Sequence, residues 1–312
     1  MSDLPIIDVA SPDAPARLRA ACESLGFFYV TNHGVDAELE RRLEQLTPKL
    51  FALPRPALER IAMKHGGRAW RGWFPVGGEL TSGQPDAKEG VYFGRELPPS
   101  PLPLHGPNLF PAELPELEPV VIEWMRQVER AGQRVLEGLA RSLELRADFF
   151  ARSLTRDPLP LFRIFHYPAS SEGWGVGEHT DYGLLTLLKQ DDCGGLEVKT
   201  PNGWAHAEPI PGTFVCNLGD MLDRITGGRY RSTPHRVRNR AGRSRYSWPF
   251  FLDPSFDAEV APLPGARVRP AEVDAAERWD KASVHSLSGT YGQYLVGKVS
   301  KVFPELVGNL AP

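Results

Sequence analysis

The sequence predicts a mainly β domain with flanking helices, of the sandwich or jelly-roll kind. Three observations point there. Thirty Gly and thirty Pro in 312 residues are more turn formers than a helical bundle tolerates. Between about residues 161 and 252 the hydrophobic period is two, in short runs separated by Gly194-Gly195, Asn202-Gly203, Pro211-Gly212 and Gly227-Gly228. No low-complexity linker and no internal repeat divides the chain, so one large unit is expected.

Taken in order, Leu4–Val9 reads as a short strand. Ser11-Pro12-Asp13 then carries helix-start chemistry: a capping Ser, a Pro and an acid near the positive end of the dipole. That helix is expected to run to about Ser24, with Gly26 ending it. Phe27–Val30 form a buried strand closed by Asn32-His33-Gly34. Residues 36–52 place Leu39, Leu43, Leu46 and Leu50 on one helical face. Residues 66–112 read as a long irregular stretch, with a short hairpin near Val91–Phe93; long ordered loops of this kind serve as lids or binding loops. From Glu116 to about Leu145 the apolar spacing is helical again, through Val121, Trp124, Val128, Ala131, Val135 and Leu139. Seven strands are expected next: Leu161–Tyr167, Leu184–Lys189, Leu196–Lys199, Trp204–Ala207, Thr213–Asn217, Arg231–Val237 and Tyr246–Leu252. Residues 271–301 look helical.

Composition narrows the function classes. Lys and Arg total 36 against 39 Asp and Glu, a net charge of −3, which disfavours a dedicated nucleic-acid binder. No apolar run approaches the roughly 20 residues of a membrane span. The opening MSDLPIIDVASPD has early acids and no basic segment, so a cytoplasmic protein without a secretory leader is expected. Cys22, Cys193 and Cys216 are too few and scattered for a disulfide framework or a Cys-rich metal site, and read as buried free thiols.

Of the eight histidines, His33, His65 and His105 sit in turn-like contexts, and His166, His206 and His285 suit core or surface positions equally. His179 and His235 have more telling company. In extended backbone His179 and Asp181 point the same way, so imidazole and carboxylate reach one point. His235 lies on a later strand, in Ser232-Thr233-Pro234-His235-Arg236-Val237. Two imidazoles and one carboxylate on one face of a metal are the signature of non-haem Fe(II) oxygenases. A His-x-Asp alone is weak evidence and is far more often a surface turn. Arg245-Tyr246-Ser247 strengthens the case: Arg245 and Ser247 share a strand face, where a guanidinium fork and a hydroxyl make a pocket for a small dicarboxylate.

With these motifs in this order, the sequence resembles the isopenicillin N synthase-like branch of the Fe(II)/2-oxoglutarate-dependent dioxygenases. The resemblance covers nearly the whole chain. It runs through Leu4–Asp8 and Leu25–Gly34, then His179-Thr180-Asp181-Tyr182-Gly183, Asn217-Leu218-Gly219-Asp220, Ser232–Val237 and Arg245-Tyr246-Ser247. It ends in Tyr291-Gly292-Gln293-Tyr294-Leu295, Lys298 and Phe303-Pro304. It implies a double-stranded β-helix (jelly-roll, cupin-like) core with Fe(II) on His179, Asp181 and His235. It implies 2-oxoglutarate as cosubstrate with O2, its far carboxylate on Arg245 and Ser247, and Tyr167 nearby. Where the family often has Asn, this chain has Phe165, which removes a hydrogen-bond donor near the iron-bound carboxylate; Arg163, on the same strand face, is a substitute to consider. Halogenating relatives carry a small residue at the position of Asp181, so the carboxylate here argues for oxygenation.

On this reading residues 1–112 are an N-terminal α/β region with irregular substrate-side loops, and 113–160 a long backing helix. Residues 161–255 are the jelly-roll catalytic core and 256–312 a C-terminal helical extension, all in one unit. The expected reaction is oxidative decarboxylation of 2-oxoglutarate coupled to C–H oxidation, with hydroxylation as the default outcome. The alternatives are a 2-oxoglutarate-independent oxidase or cyclase of the same fold, a non-oxidative metal-binding cupin, or a ligand sensor. Candidate substrate residues are Trp73, Phe74, Tyr92, Phe93, Trp174 and Phe251, whose aromatic character suggests an apolar or ring-bearing small molecule, although ordinary loop and core packing accounts for most such residues; Arg71, Lys88 and Arg95 are candidates for a substrate acid but read first as solvated surface charge. No nucleic-acid or membrane partner is expected, and the chain should be a monomer or weak oligomer.

Overall fold

The computed structural model describes residues 4–169 and 173–303. At the N-terminus β1 (Ile6–Asp8) pairs parallel with β2 (Phe27–Thr31), and α1 (Ala14–Ser24) is the crossover between them. The helix starts later than Ser11-Pro12 suggests. Asp13 already has helical angles (φ −88°, ψ −2°) and no side chain caps it, because the Ser11 hydroxyl is spent on the Asp13 carboxylate. In α2 (Ala37–Phe51) the Asp36 carboxylate accepts from the N–H groups of Glu38 and Leu39, a regular N-cap. A short α3 (Arg55–Arg60) follows.

The stretch 66–112 is more regular than its composition suggests. It holds β3 (Gly72–Phe74), a small hairpin of β4 (Leu80–Thr81) and β5 (Gln84–Pro85), and β6 (Glu89–Gly94). The alternation of β6 is hidden because its cavity side begins with a glycine. A Cβ at Gly90 would lie 2.6 Å from the Phe165 ring, and Gly94 is on the same face, so Tyr92 is the one side chain that marks it. The backing helix α4 (Leu117–Ser142) buries Trp124 with its ring centroid 4.4 Å from that of Phe162, and packs Gly132 against Leu187 and Leu252. A single turn, α5 (Phe149–Arg152), leads into the sheets.

The stretch from residue 158 onward contributes β7 (Pro158–Tyr167), β8 (Val176–His179), β9 (Leu185–Gln190), β10 (Leu196–Thr200), β11 (Gly203–His206) and β12 (Phe214–Leu218). Then come α6 (Asp220–Ile225), β13 (His235–Val237) and β14 (Arg245–Ser255). The major sheet has eight strands in the order β1-β2-β12-β9-β14-β7-β6-β3, and the minor sheet four in the order β11-β10-β13-β8. Together they make the jelly roll. The expected helical stretch 271–301 is two helices, α7 (Ala271–Glu277) and α8 (Tyr291–Val302), because Arg278 turns to extended backbone (φ −90°, ψ 145°). Pro304 lies outside the described residues. No helix among the described residues is long and apolar enough to cross a membrane.

Strand β14 shows how the pattern positions the site. Tyr246, Trp248, Phe250 and Leu252 face away from the cavity; Phe250 meets Trp124 and the Trp248 indole N–H donates to Thr47. The alternate residues Arg245, Ser247, Pro249, Phe251 and Asp253 all line one cavity. Pro249 sits in a central strand, where it has no N–H to give, and the ladder to β7 skips between Ser247 and Phe250.

Candidate active site

The cavity between the two sheets encloses about 980 Å³ of space free of atoms, open mouth included. Pairing of β13 with β8 sets His235 directly opposite His179, and the turn after β8 brings in Asp181. The Nε2 atoms of His179 and His235 each lie 3.7 Å from Asp181 Oδ1. Every other polar atom of the three side chains is committed. His179 Nδ1 donates to the Gly177 carbonyl (2.8 Å) and His235 Nδ1 to that of Thr233 (3.1 Å). A carbonyl can only accept, so both rings carry their proton on Nδ1 and turn a bare Nε2 inward. Asp181 Oδ2 accepts from the Thr186 hydroxyl (2.5 Å) and the Asn217 amide (2.7 Å), which leaves Oδ1 free. Burial lowers both imidazoles, His235 to about 4 with help from His179 beside it. Burial alone would raise Asp181, but the imidazoles, Asn217 and Thr186 outweigh it and its carboxyl lies low. At neutral pH the trio is two neutral imidazoles and a carboxylate, a donor set suited to ferrous iron.

At one end of the cavity, Arg245 is buried and its guanidinium lies 4.5 Å from the Tyr167 ring centre. Its Nε donates to the Gly194 carbonyl and Nη2 reaches Gln190 Oε1 at 3.4 Å, while Nη1 is buried without a partner. Ser247 Oγ stands 3.4 Å from the Tyr167 hydroxyl. A buried guanidinium N–H with nothing to bond, next to two hydroxyls, fits a carboxylate. The residues present therefore suit both iron and 2-oxoglutarate.

Beyond the triad the cavity is charged rather than plainly aromatic. Arg163 is caged by Tyr92, Phe251 and Trp70, 4.2, 4.6 and 5.6 Å from the ring centres, with Nη1 3.7 Å from Glu79. Lys88 sits over the Phe165 ring at 4.8 Å, bonded to Asp86 and, at 2.6 Å, to Glu79. Burial would raise Glu79, but Lys88 and Arg163 bring its carboxyl below the usual range. Arg163 therefore faces the compartment beside Phe251, whereas the cation over Phe165 is Lys88.

Of the six aromatic candidates, only Phe251 lines this cavity. Trp73 and Phe74 border a separate surface groove, with Phe74 also packed behind Phe165. Tyr92 lies behind Glu79, to which its hydroxyl donates. Phe93 points to the opposite face of β6 and stacks on Phe110 and Phe162 in the core. Trp174 is taken by Arg236, 4.1 Å from its ring centre. Arg71 is buried against the Leu104 carbonyl, and Arg95 pairs with Asp157 and Glu129 at the surface. Trp70, Glu79, Tyr182 and Asp253 escaped the sequence reading although they line the cavity. Asp253 was reachable by continuing the period-two step Arg245, Ser247, Phe251.

Two further acidic groups come together among the described residues. Asp191, Asp192 and Cys193 are largely at the surface, and Asp223, Asp274 and His285 already enclose the guanidinium of Arg278.

Comparison with known proteins agrees with this geometry. Residues 4–113 match the family model for the non-haem dioxygenase in morphine synthesis N-terminal region, and residues 158–254 match the 2OG-Fe(II) oxygenase superfamily. A protein of Dictyostelium discoideum named a probable iron/ascorbate oxidoreductase is 46% identical, over 99% of this chain and 97% of its own length. A homoarginine-6-hydroxylase of Oryza sativa is 35% identical, over 89% of this chain and 86% of its own. The crystal structure of a full-length Neurospora crassa protein in complex with alpha-KG and thymine superposes with a TM-score of 0.78, at 28% identity, over 95% of this chain and 96% of that one.

Proposed function

Because this chain belongs to the 2OG-Fe(II) oxygenase superfamily, we propose that His179, Asp181 and His235 are the protein ligands of its ferrous ion, and that Arg245, Ser247 and Tyr167 receive the far carboxylate of 2-oxoglutarate. The protein is an oxidoreductase of small molecules that uses Fe(II), 2-oxoglutarate and O2. The observation that supports the residue roles is the commitment of atoms: each ligand side chain has one free donor atom, and all three face one point.

When bound, iron and 2-oxoglutarate supply reduction of dioxygen and decarboxylation to succinate and carbon dioxide, coupled to oxidation of a substrate C–H bond. The chain does the rest. Gly177 and Thr233 hold the imidazoles in one tautomer, and Thr186 and Asn217 hold the carboxylate in one rotamer. Tyr167, stacked on Arg245, shields the carboxylate end from water, and Phe251 with Trp70 walls the substrate side. We take hydroxylation as the outcome, since relatives by name hydroxylate. The same reading takes the protein as cytoplasmic, monomeric or weakly oligomeric, and without membrane partners, and the net charge of −3 supports the absence of a nucleic-acid partner.

The test is succinate release on a panel including homoarginine and thymine, with mass analysis of products. A product heavier by one oxygen atom, formed with matching succinate, is the expected result. Succinate release without any oxidised product across a broad panel would contradict hydroxylation.

Arg245→Lys should raise the KM for 2-oxoglutarate about thirtyfold or more with little change in kcat. The native guanidinium uses Nε on Gly194 and still has Nη1 free for the ligand. One ammonium cannot be anchored and present a fork at once. Unchanged 2-oxoglutarate affinity would place the carboxylate elsewhere.

A further inference from the structure

Resting on the reading above, we propose that Arg163 and Asp253 form a paired anchor that selects a small zwitterion: its carboxylate on Arg163 and its ammonium or guanidinium on Asp253. Both side chains line the same cavity, Asp253 near the opposite end of β14 from Arg245. Arg163 Nε is buried with no partner, and the carboxylate it pairs with, Glu79, is shared with Lys88 and Tyr92. Lys88 also pairs with Asp86, so the local charges balance, but Arg163 keeps a donor with no partner.

Asp253 is the complement. It is 2% exposed, its Oδ2 accepts from the Tyr291 hydroxyl, and its Oδ1 is buried with no partner. Glu79 cannot serve the same purpose, because Lys88 and Tyr92 already occupy it. The Asp253 carboxyl is pushed up to about 7 by burial, with Tyr291 and Arg163 pulling the other way. A buried carboxyl held in this way gains most from a ligand that brings a positive charge.

An aromatic cage alone would favour a cation or a flat ring. Here Trp70, Tyr92 and Phe251 surround a protein cation, so their faces are already used. What remains without a partner is one donor and one acceptor, each buried, with Asp253 Oδ1 lying against Gly183. A ligand lacking either charge leaves a desolvated group unpaired, which is how such a site rejects it.

The experiment uses the iron- and 2-oxoglutarate-loaded protein under anaerobic conditions, with ligand binding read from perturbation of its visible absorption. The probes are the common α-amino acids, L-homoarginine and 1-aminocyclopropane-1-carboxylate, each beside its amide and its N-acetyl form, with citrulline as the uncharged counterpart of arginine, and thymine as a neutral ring. At least one zwitterion should bind at least about thirtyfold more tightly than its charge-deleted counterparts. Arg163→Gln should erase the preference for acid over amide, and Asp253→Asn the preference for the cationic over the neutral form. Arg163→Lys, which keeps the charge, should restore part of the first. The proposal is overturned if no zwitterion binds, if thymine binds as tightly as any, or if the variants keep both preferences while retaining the absorption band. Loss of the band in the native protein would instead sink the underlying assignment of iron and 2-oxoglutarate.

Discussion

Replacing Asp181 with alanine should abolish turnover, by at least about a thousandfold in kcat/KM, while leaving the fold in place. The carboxylate supplies the one anionic atom of the triad, and no other acid among the described residues clusters with His179 and His235. The cost to folding is small by comparison. The hydroxyl of Thr186 and the amide of Asn217 lose their acceptor, worth roughly 1 kcal/mol each. The clean readout is thermal: native protein should gain stability on adding Fe(II) and 2-oxoglutarate together, because both bind only the folded state, and the variant should not. A variant that still gains stability from iron and still releases succinate would show that the carboxylate is dispensable.

The second large effect concerns stability. Arg278→Met should cost about 3–5 kcal/mol, measured by urea unfolding at pH 7. Its guanidinium bonds Asp220 at 2.7 Å, Asp274 at 2.9 Å and Asp223 at 3.2 Å, and all three carboxylates are at most 2% exposed. Without the guanidinium three buried like charges face one another. Their folded-state pKa values would then lie above the unfolded ones, so the penalty appears as pH rises past about 4 and shrinks again on acidification. The damage should also reach the iron site, because the Asp220 N–H donates to the Asp181 carbonyl and the Asp220 carboxylate accepts from Tyr294 on α8. A pH-independent loss would mean that packing rather than charge explains the effect.

How much of this was legible in the sequence differs by element. The long helix around Trp124 and most strands between 158 and 255 follow from periodicity alone, because each has one face in the core. Strand β6 was legible only as a short hairpin near Val91–Phe93, since Gly90 shortens the pattern on its cavity face for lack of room beside Phe165. The two-residue strands β4 and β5 carry no period at all. Arg245-x-Ser247 was readable because extended backbone places residues i and i+2 together; His179 and Asp181 were close enough in sequence to be read as a pair, although Asp181 lies in the turn after β8, and His235 comes from the strand paired with it. The substrate side was not: aromatic residues in the irregular stretch looked like pocket walls, yet Phe93 and Trp73 pack elsewhere, while buried charges at Glu79, Lys88 and Arg163 come from separate strands and loops. Which of several Lys or Arg residues is desolvated depends on contacts across the fold that no local spacing encodes. Lys88 and Arg95 looked alike in sequence, and one is 1% exposed while the other has a side chain 35% exposed.

Anaerobic addition of Fe(II) and then 2-oxoglutarate to the purified protein tests the central geometry most directly. If two bare imidazole nitrogens and one free carboxylate oxygen hold the metal and leave room for a chelating keto acid, a weak visible absorption band should develop to one equivalent of each and be absent from the Asp181→Ala protein. Full iron loading with no band on adding 2-oxoglutarate would contradict it.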